Sequence, residues 1–217
     1  MAKKSKINAV NLVVLGVLVV CLVLAIVGIS VDNWTDVKVN KDIEDSIFGG
    51  AVDSVAEQGK KSFGDLLDEV TSDEFKESME YYQELIDKLE ESGLDKDTLD
   101  AAKTGLEYMQ KEVAIVAFGL ITVLLLAVAV IACVLSLFVN IGLLRFVVLV
   151  AGVLALIAGI IALALTGSIL DLGETLGDIA DATVKPVIGA GAALLAVGGI
   201  LGGIAGGVSF FFGKKKK

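Results

Sequence analysis

Histidine is absent from this chain, proline and tryptophan occur once each, and cysteine occurs twice. Without histidine the commonest metal ligand and general base is missing, and two cysteines are too few for a thiolate metal site. A further absence is local. No Asp, Glu, Lys or Arg interrupts 7–31, 113–144, 146–170 or 186–213, runs of 25, 32, 25 and 28 residues. About 20 consecutive apolar residues cross the roughly 30 Å of bilayer hydrocarbon, so a soluble protein is excluded.

What is present is strongly segregated. Apolar residues make up 55% of the 217 positions and the net charge is −9. The runs are continuously apolar rather than alternating, which predicts helices and not barrel strands, because a lipid-exposed backbone must bond to itself. The expected fold is therefore all-α: a four-helix transmembrane bundle with a helical, hairpin-containing extracytoplasmic domain between spans 1 and 2. The expected order is a basic tail at 1–6, span 1 at 7–31, an acidic helical domain at 32–112 and span 2 at 113–139. A cytoplasmic turn at 140–145, span 3 at 146–168, a short acidic amphipathic loop at 169–185, span 4 at 186–212 and a polylysine tail at 213–217 complete it. The first run is too long for the apolar part of a signal peptide, about 7–15 residues, and reads as an uncleaved span. Leu18-Val19-Val20 before Cys21 lacks the small residue of a lipoprotein cleavage site.

Lysine and arginine set the orientation, since translocating them is unfavourable. Lys3, Lys4 and Lys6, Arg145 and Lys214–Lys217 total +8 with no acid among them, whereas 32–112 carries −14 and 171–185 carries −3. Both termini are expected in the cytoplasm and both acidic segments outside. The expected location is the plasma or cytoplasmic membrane. In a eukaryote, Lys-Lys-x-x at the end also resembles the dilysine retrieval signal of the endoplasmic reticulum.

From Thr71 the outer segment has a helical period. Thr71 and Glu74 have capping-box spacing. Phe75, Met79, Tyr82, Ile86 and Leu89 then recur at 4, 3, 4, 3, Gly93 stops the helix, and Leu99, Ala102, Leu106, Met109 and Val113 recur at 3, 4, 3, 4. Two such stripes around a glycine turn predict an antiparallel hairpin whose second helix runs unbroken into span 2. Ile43, Ile47, Val52, Val55, Phe63, Leu66 and Val70 suggest one or two shorter helices covering its seam. Ile169, Leu172, Leu176 and Ile179, beside Asp171, Glu174, Asp178 and Asp181, predict a small amphipathic helix, with Pro186 opening span 4.

The candidate sites are few. Gly198, Gly199, Gly202, Gly203, Gly206 and Gly207 form doublets every four residues, a flat ridge suited to close helix packing or oligomerisation; Ala151, Ala155, Gly159 and Ala162 could face it within the chain. Trp34 and Lys214, Lys215, Lys216 and Lys217 read as membrane-interface anchors, the lysines attracting anionic lipid of the inner leaflet. Asn33-Trp34-Thr35 matches a glycosylation acceptor at Asn33. Cys21 and Cys133 read as small packing residues. Asp95, Asp97 and Asp100 lack the calcium-loop pattern and suit helix capping. No ionisable residue lies in any span, which argues against a proton-coupled carrier.

The layout, with both ends inside, a long first outer segment, a tight inner turn and a short second outer loop, resembles the claudin and peripheral-myelin-protein group of tetraspan proteins. Trp34 after span 1 looks like that group's tryptophan. The group's Gly-Leu-Trp followed by two cysteines is missing, and this outer domain reads helical where claudins carry a sheet, so neither barrier nor adhesion function is carried over. The expected function is a non-enzymatic scaffold or accessory subunit of a membrane assembly, acting through its acidic ectodomain and Gly-rich span 4. No cofactor or nucleic acid is expected; a protein partner or a second copy is. The rival expectation is an oligomeric channel with an acidic outer vestibule.

Overall fold

The computed structural model describes residues 9–39, 60–92, 96–139, 142–176 and 184–212. Four helices are long and apolar enough to cross a bilayer: α1 (Ala9–Ser30), α4 (Lys96–Phe138), α5 (Gly142–Leu176, apolar through Leu170) and α6 (Ala190–Phe212). The protein is an all-α four-span bundle. Between α1 and α4 lie β1 (Thr35–Val39), α2 (Phe63–Thr71) and α3 (Asp73–Ser92), and β2 (Val184–Ile188) precedes α6.

Continuity of α4 sets the architecture. Its 43 residues span about 65 Å at 1.5 Å per residue, roughly twice the bilayer core, so one end crosses the membrane and the other projects from it. The projecting end forms an antiparallel hairpin with α3, as the periodicity predicts. Ile86, Ala102 and Leu106 are buried between the two, flanked by Met79, Tyr82, Leu85, Leu89 and Leu99. Lys103 also bridges to Glu90 at 2.7 Å. Residues 93–95, with the predicted Gly93 stop, lie outside the described residues, as do Ile43, Ile47, Val52 and Val55.

The caps differ from expectation. Thr71 ends α2, its hydroxyl donating to the Leu67 carbonyl at 2.8 Å, while Ser72 Oγ accepts from the Phe75 amide at 3.1 Å and starts α3. The complete capping box belongs to Ser62 and Asp65, whose side chains each accept from the other's backbone amide. A box needs a free turn before it, and Thr71 is already committed to the preceding helix.

The segment between spans 3 and 4 also departs from the expected amphipathic helix. Span 3 continues as helix through Leu176, taking in Ile169 and Leu172, and residues 184–188 are a strand; Asp178, Ile179 and Asp181 lie outside the described residues. β2 pairs antiparallel with β1, setting Val37 opposite Pro186 and Thr35 opposite Ile188. Pro186 is thus a strand residue, and span 4 begins at Ala190. Alternation in Thr35-Asp36-Val37-Lys38-Val39 carried this strand signal, but its partner lies 149 positions later in register. Arg145, expected in a connecting turn, sits in the first turns of α5 and is buried.

Candidate functional site

The hairpin joins the bundle through a neck that brings four distant segments together. Trp34, just after α1, is 0% exposed. Its indole N–H donates to Thr166 Oγ1 of α5 at 3.2 Å, and its ring tilts against Phe63 with centroids 4.8 Å apart. Phe63, at the start of α2, in turn lies over Gly119 of α4, where an added Cβ would come 2.6 Å from the ring. Only a glycine leaves that slot open. Trp34 is therefore a core residue and not the headgroup anchor its sequence position suggests: the protein itself supplies both the apolar surroundings and the N–H partner that an interface would otherwise provide.

Lys61 is the hub of the neck. Its carbonyl accepts from the Trp34 and Thr35 amides at 2.9 and 3.1 Å, and its amide donates to Thr35 Oγ1 at 3.1 Å, adding a bridge to the free edge of β1. Its ammonium lies 2.6 Å from Glu69 of α2 and 3.2 Å from Glu112 of α4. Glu112, the last charged residue before the apolar part of α4, is 2% exposed. Burial raises its carboxyl above the ordinary range, with Lys61 opposing and Glu69 reinforcing the shift. Burial pulls Lys61 down, but its hydrogen bond to Glu69 and the two carboxylate charges more than offset this and hold it above its usual value. Tyr108 is raised as well, first by burial and then by Glu112. One turn away, Lys111 reaches Ser168 of α5 and Glu107, each at 2.8 Å.

On the other side of the neck, the Gly189 amide donates to the Trp34 carbonyl and the Gly191 amide to the Asn33 carbonyl, both at 2.9 Å. The Asn33 carboxamide is turned into this junction: Nδ2 donates to Asp36 at 3.1 Å, and Oδ1 packs where a Cβ on Gly189 would fall. The folded neck thus uses the Asn33 carboxamide in its own hydrogen bonding.

The glycine ridge lies inside the bundle. Added Cβ atoms would meet the Cys21 carbonyl of α1 from Gly198 at 2.8 Å, and on α5 the Ala155 carbonyl from Gly199 at 2.7 Å and the Val148 carbonyl from Gly206 at 2.8 Å. Gly202 abuts Leu126 of α4, and Gly203 abuts Leu156 of α5. The ridge of α6 is thus covered by the chain's other three spans without a second copy, while Val197, Leu201 and Ile204 on its other side are exposed. Gly207 has no such neighbour within 4 Å. Cys21 and Cys133 are buried free thiols. Lys214–Lys217 lie outside the described residues, as does Asp95. Thr122 and Thr166 satisfy their hydroxyls on the carbonyls one turn back, each at 2.8 Å, the usual resolution for such groups within a span.

The sequence marks Trp34 and the ridge but not Lys61, Glu69, Glu112 or Thr166 as members of a site. Glu112 carried a signal, as the acid next to a long apolar run, whereas Lys61 is one of nine lysines between spans 1 and 2. Among the described residues no group of His, Cys, Asp and Glu is arranged to hold a metal ion. Comparison with known proteins returns no matching family model, no matching curated protein and no matching solved structure.

Proposed function

We propose that this integral membrane protein is a non-enzymatic scaffold or accessory subunit that presents its acidic helical hairpin to a protein partner outside the membrane. The observation that carries this reading is the buried neck: Trp34, Lys61 and Glu112 tie β1, α2 and α5 to a helix that passes unbroken from hairpin to bilayer. Such a join holds a surface at fixed height and orientation, which docking requires and lipid anchoring does not. With the glycine ridge covered by the chain's own helices, the surface offered is the hairpin. Glu77, Glu80 and Asp87 are exposed along α3 beside Tyr81, which is 64% exposed. An aromatic among carboxylates suits a basic partner, and the cytoplasmic lysine tails would hold the anchor against anionic lipid.

The test is purification from native membranes in mild detergent, comparing the natural chain with Glu77→Lys/Glu80→Lys. The expected result is one copy with a foreign protein that is lost from the variant. A closed ring of identical chains that leaks cations in liposomes would overturn this reading and support an oligomeric channel instead.

A further inference from the structure

At the end of the bundle away from the hairpin, two buried oxygens have no hydrogen-bond partner among the described residues: Asn11 Oδ1 on α1 and Ser209 Oγ on α6. The residues are 1% and 0% exposed. Helix register brings them level. α1 and α6 run antiparallel, with Gly28 against Gly191 and Leu195, and Gly198 against Cys21 and Ala25. Ser209 lies eleven residues, three full turns, beyond Gly198 and so keeps its face toward α1. Eleven residues back from Cys21 and Ala25 are Val10 and Val14, and Asn11 stands between them as the first buried position of the α1 seam.

α4 closes the same layer. Its Leu126 meets Gly202, and seven residues further along both helices Cys133 comes level with Ser209. Independently, the Cys133 thiol donates to the Asn11 carbonyl at 3.6 Å. One turn on, the buried Ser136 donates to the Cys133 carbonyl at 2.7 Å. Arg145 of α5 belongs to the next turn, beside the Phe146–Phe210 ring contact at 6.4 Å.

We propose that this layer is a binding site for a water molecule bridging Asn11 Oδ1 and Ser209 Oγ between α1, α4 and α6. The chemistry selects the ligand. A carboxamide oxygen only accepts, so whatever sits there must donate, and a hydroxyl can pair with either end of a donor. A metal cation is disfavoured because the described residues of the layer contribute neutral oxygens only. Water carries no charge, and a buried site with two to four polar partners is what retains it in proteins. The site locks α1 to α6 at the end of the bundle opposite the neck, so polar contacts hold the helices in register at both ends.

The test uses the full chain in lipid nanodiscs. A map fine enough to show solvent should contain density within hydrogen-bond distance of both oxygens. Ser209→Ala and Asn11→Leu should each lower the unfolding midpoint by about 2–4 °C, and the double variant should fall no further than the worse single, because removing both partners removes the demand for water. A dry map in which the two oxygens bond protein groups alone overturns the proposal, as do losses that simply add. The map of the unaltered chain decides the matter even if a variant fails to accumulate.

Discussion

The Lys61 ammonium lies 3.2 Å from the Glu112 carboxylate, 51 positions apart in sequence, and the carboxylate is almost wholly shielded from water. A buried carboxylate that loses its cation keeps its desolvation cost without compensation. Lys61→Met is therefore expected to destabilise the protein by about 1–3 kcal/mol, read as a lower unfolding midpoint in detergent. Glu112→Gln, which removes the charge while keeping the shape, should cost less.

The same pair sets a pH dependence whose sign follows from the direction of the shift. Glu112 titrates above its ordinary value in the folded protein because it is buried. The folded state therefore binds the proton more tightly than the unfolded state, so this group's contribution is fully present below about 4.5, and it is lost as pH rises through the folded value. Lys61 keeps its charge throughout that window. Unfolding midpoints from neutral pH down to about 4.5 should thus show the natural chain gaining on Glu112→Gln as pH falls. Parallel curves would show that Glu112 does not titrate as its burial requires.

Trp34 is the sole tryptophan, so the protein's indole fluorescence reports on it alone. Buried between β1, Phe63 and α5, it should emit at short wavelength and resist quenching by both aqueous acrylamide and brominated lipid. A ring at the headgroups would be quenched by the lipid. Trp34→Ala should cost about 3–5 kcal/mol by leaving a large cavity.

The ridge glycines should separate by location. Gly198→Ala and Gly206→Ala drive a methyl into a neighbouring carbonyl at 2.8 Å and are expected to cost about 1–3 kcal/mol with no change in assembly size. Gly207→Ala meets nothing and should stay within about 1 kcal/mol of the natural chain. Size-exclusion with light scattering, beside thermal unfolding, checks both.

Orientation has a direct measurement. A cysteine at the exposed Ser92 should react with an impermeant maleimide added outside intact cells, and one at Ser5 only after permeabilisation. Cys21 and Cys133 are buried and should give no background.

The four spans, the antiparallel hairpin and its continuity with span 2 are legible in the amino-acid sequence, because each depends on a local property: the length of an apolar run, a period near 3.5, or a glycine between two stripes. It could not decide where Trp34 points. An amphipathic ring beside a span suits the headgroup region, and it is drawn inside here only because Thr166, 132 positions later, offers an oxygen and Phe63 a face. The strand pair 35–39 with 184–188 and the Lys61–Glu112 bridge were hidden for the same reason: their partners come from segments joined only by folding. The glycine ridge shows the division most plainly. Its flatness follows from composition, but whether it meets a second molecule or the chain's own helices is a matter of what lies opposite, and Cys21, Leu126 and Ala155 answer that from three other helices.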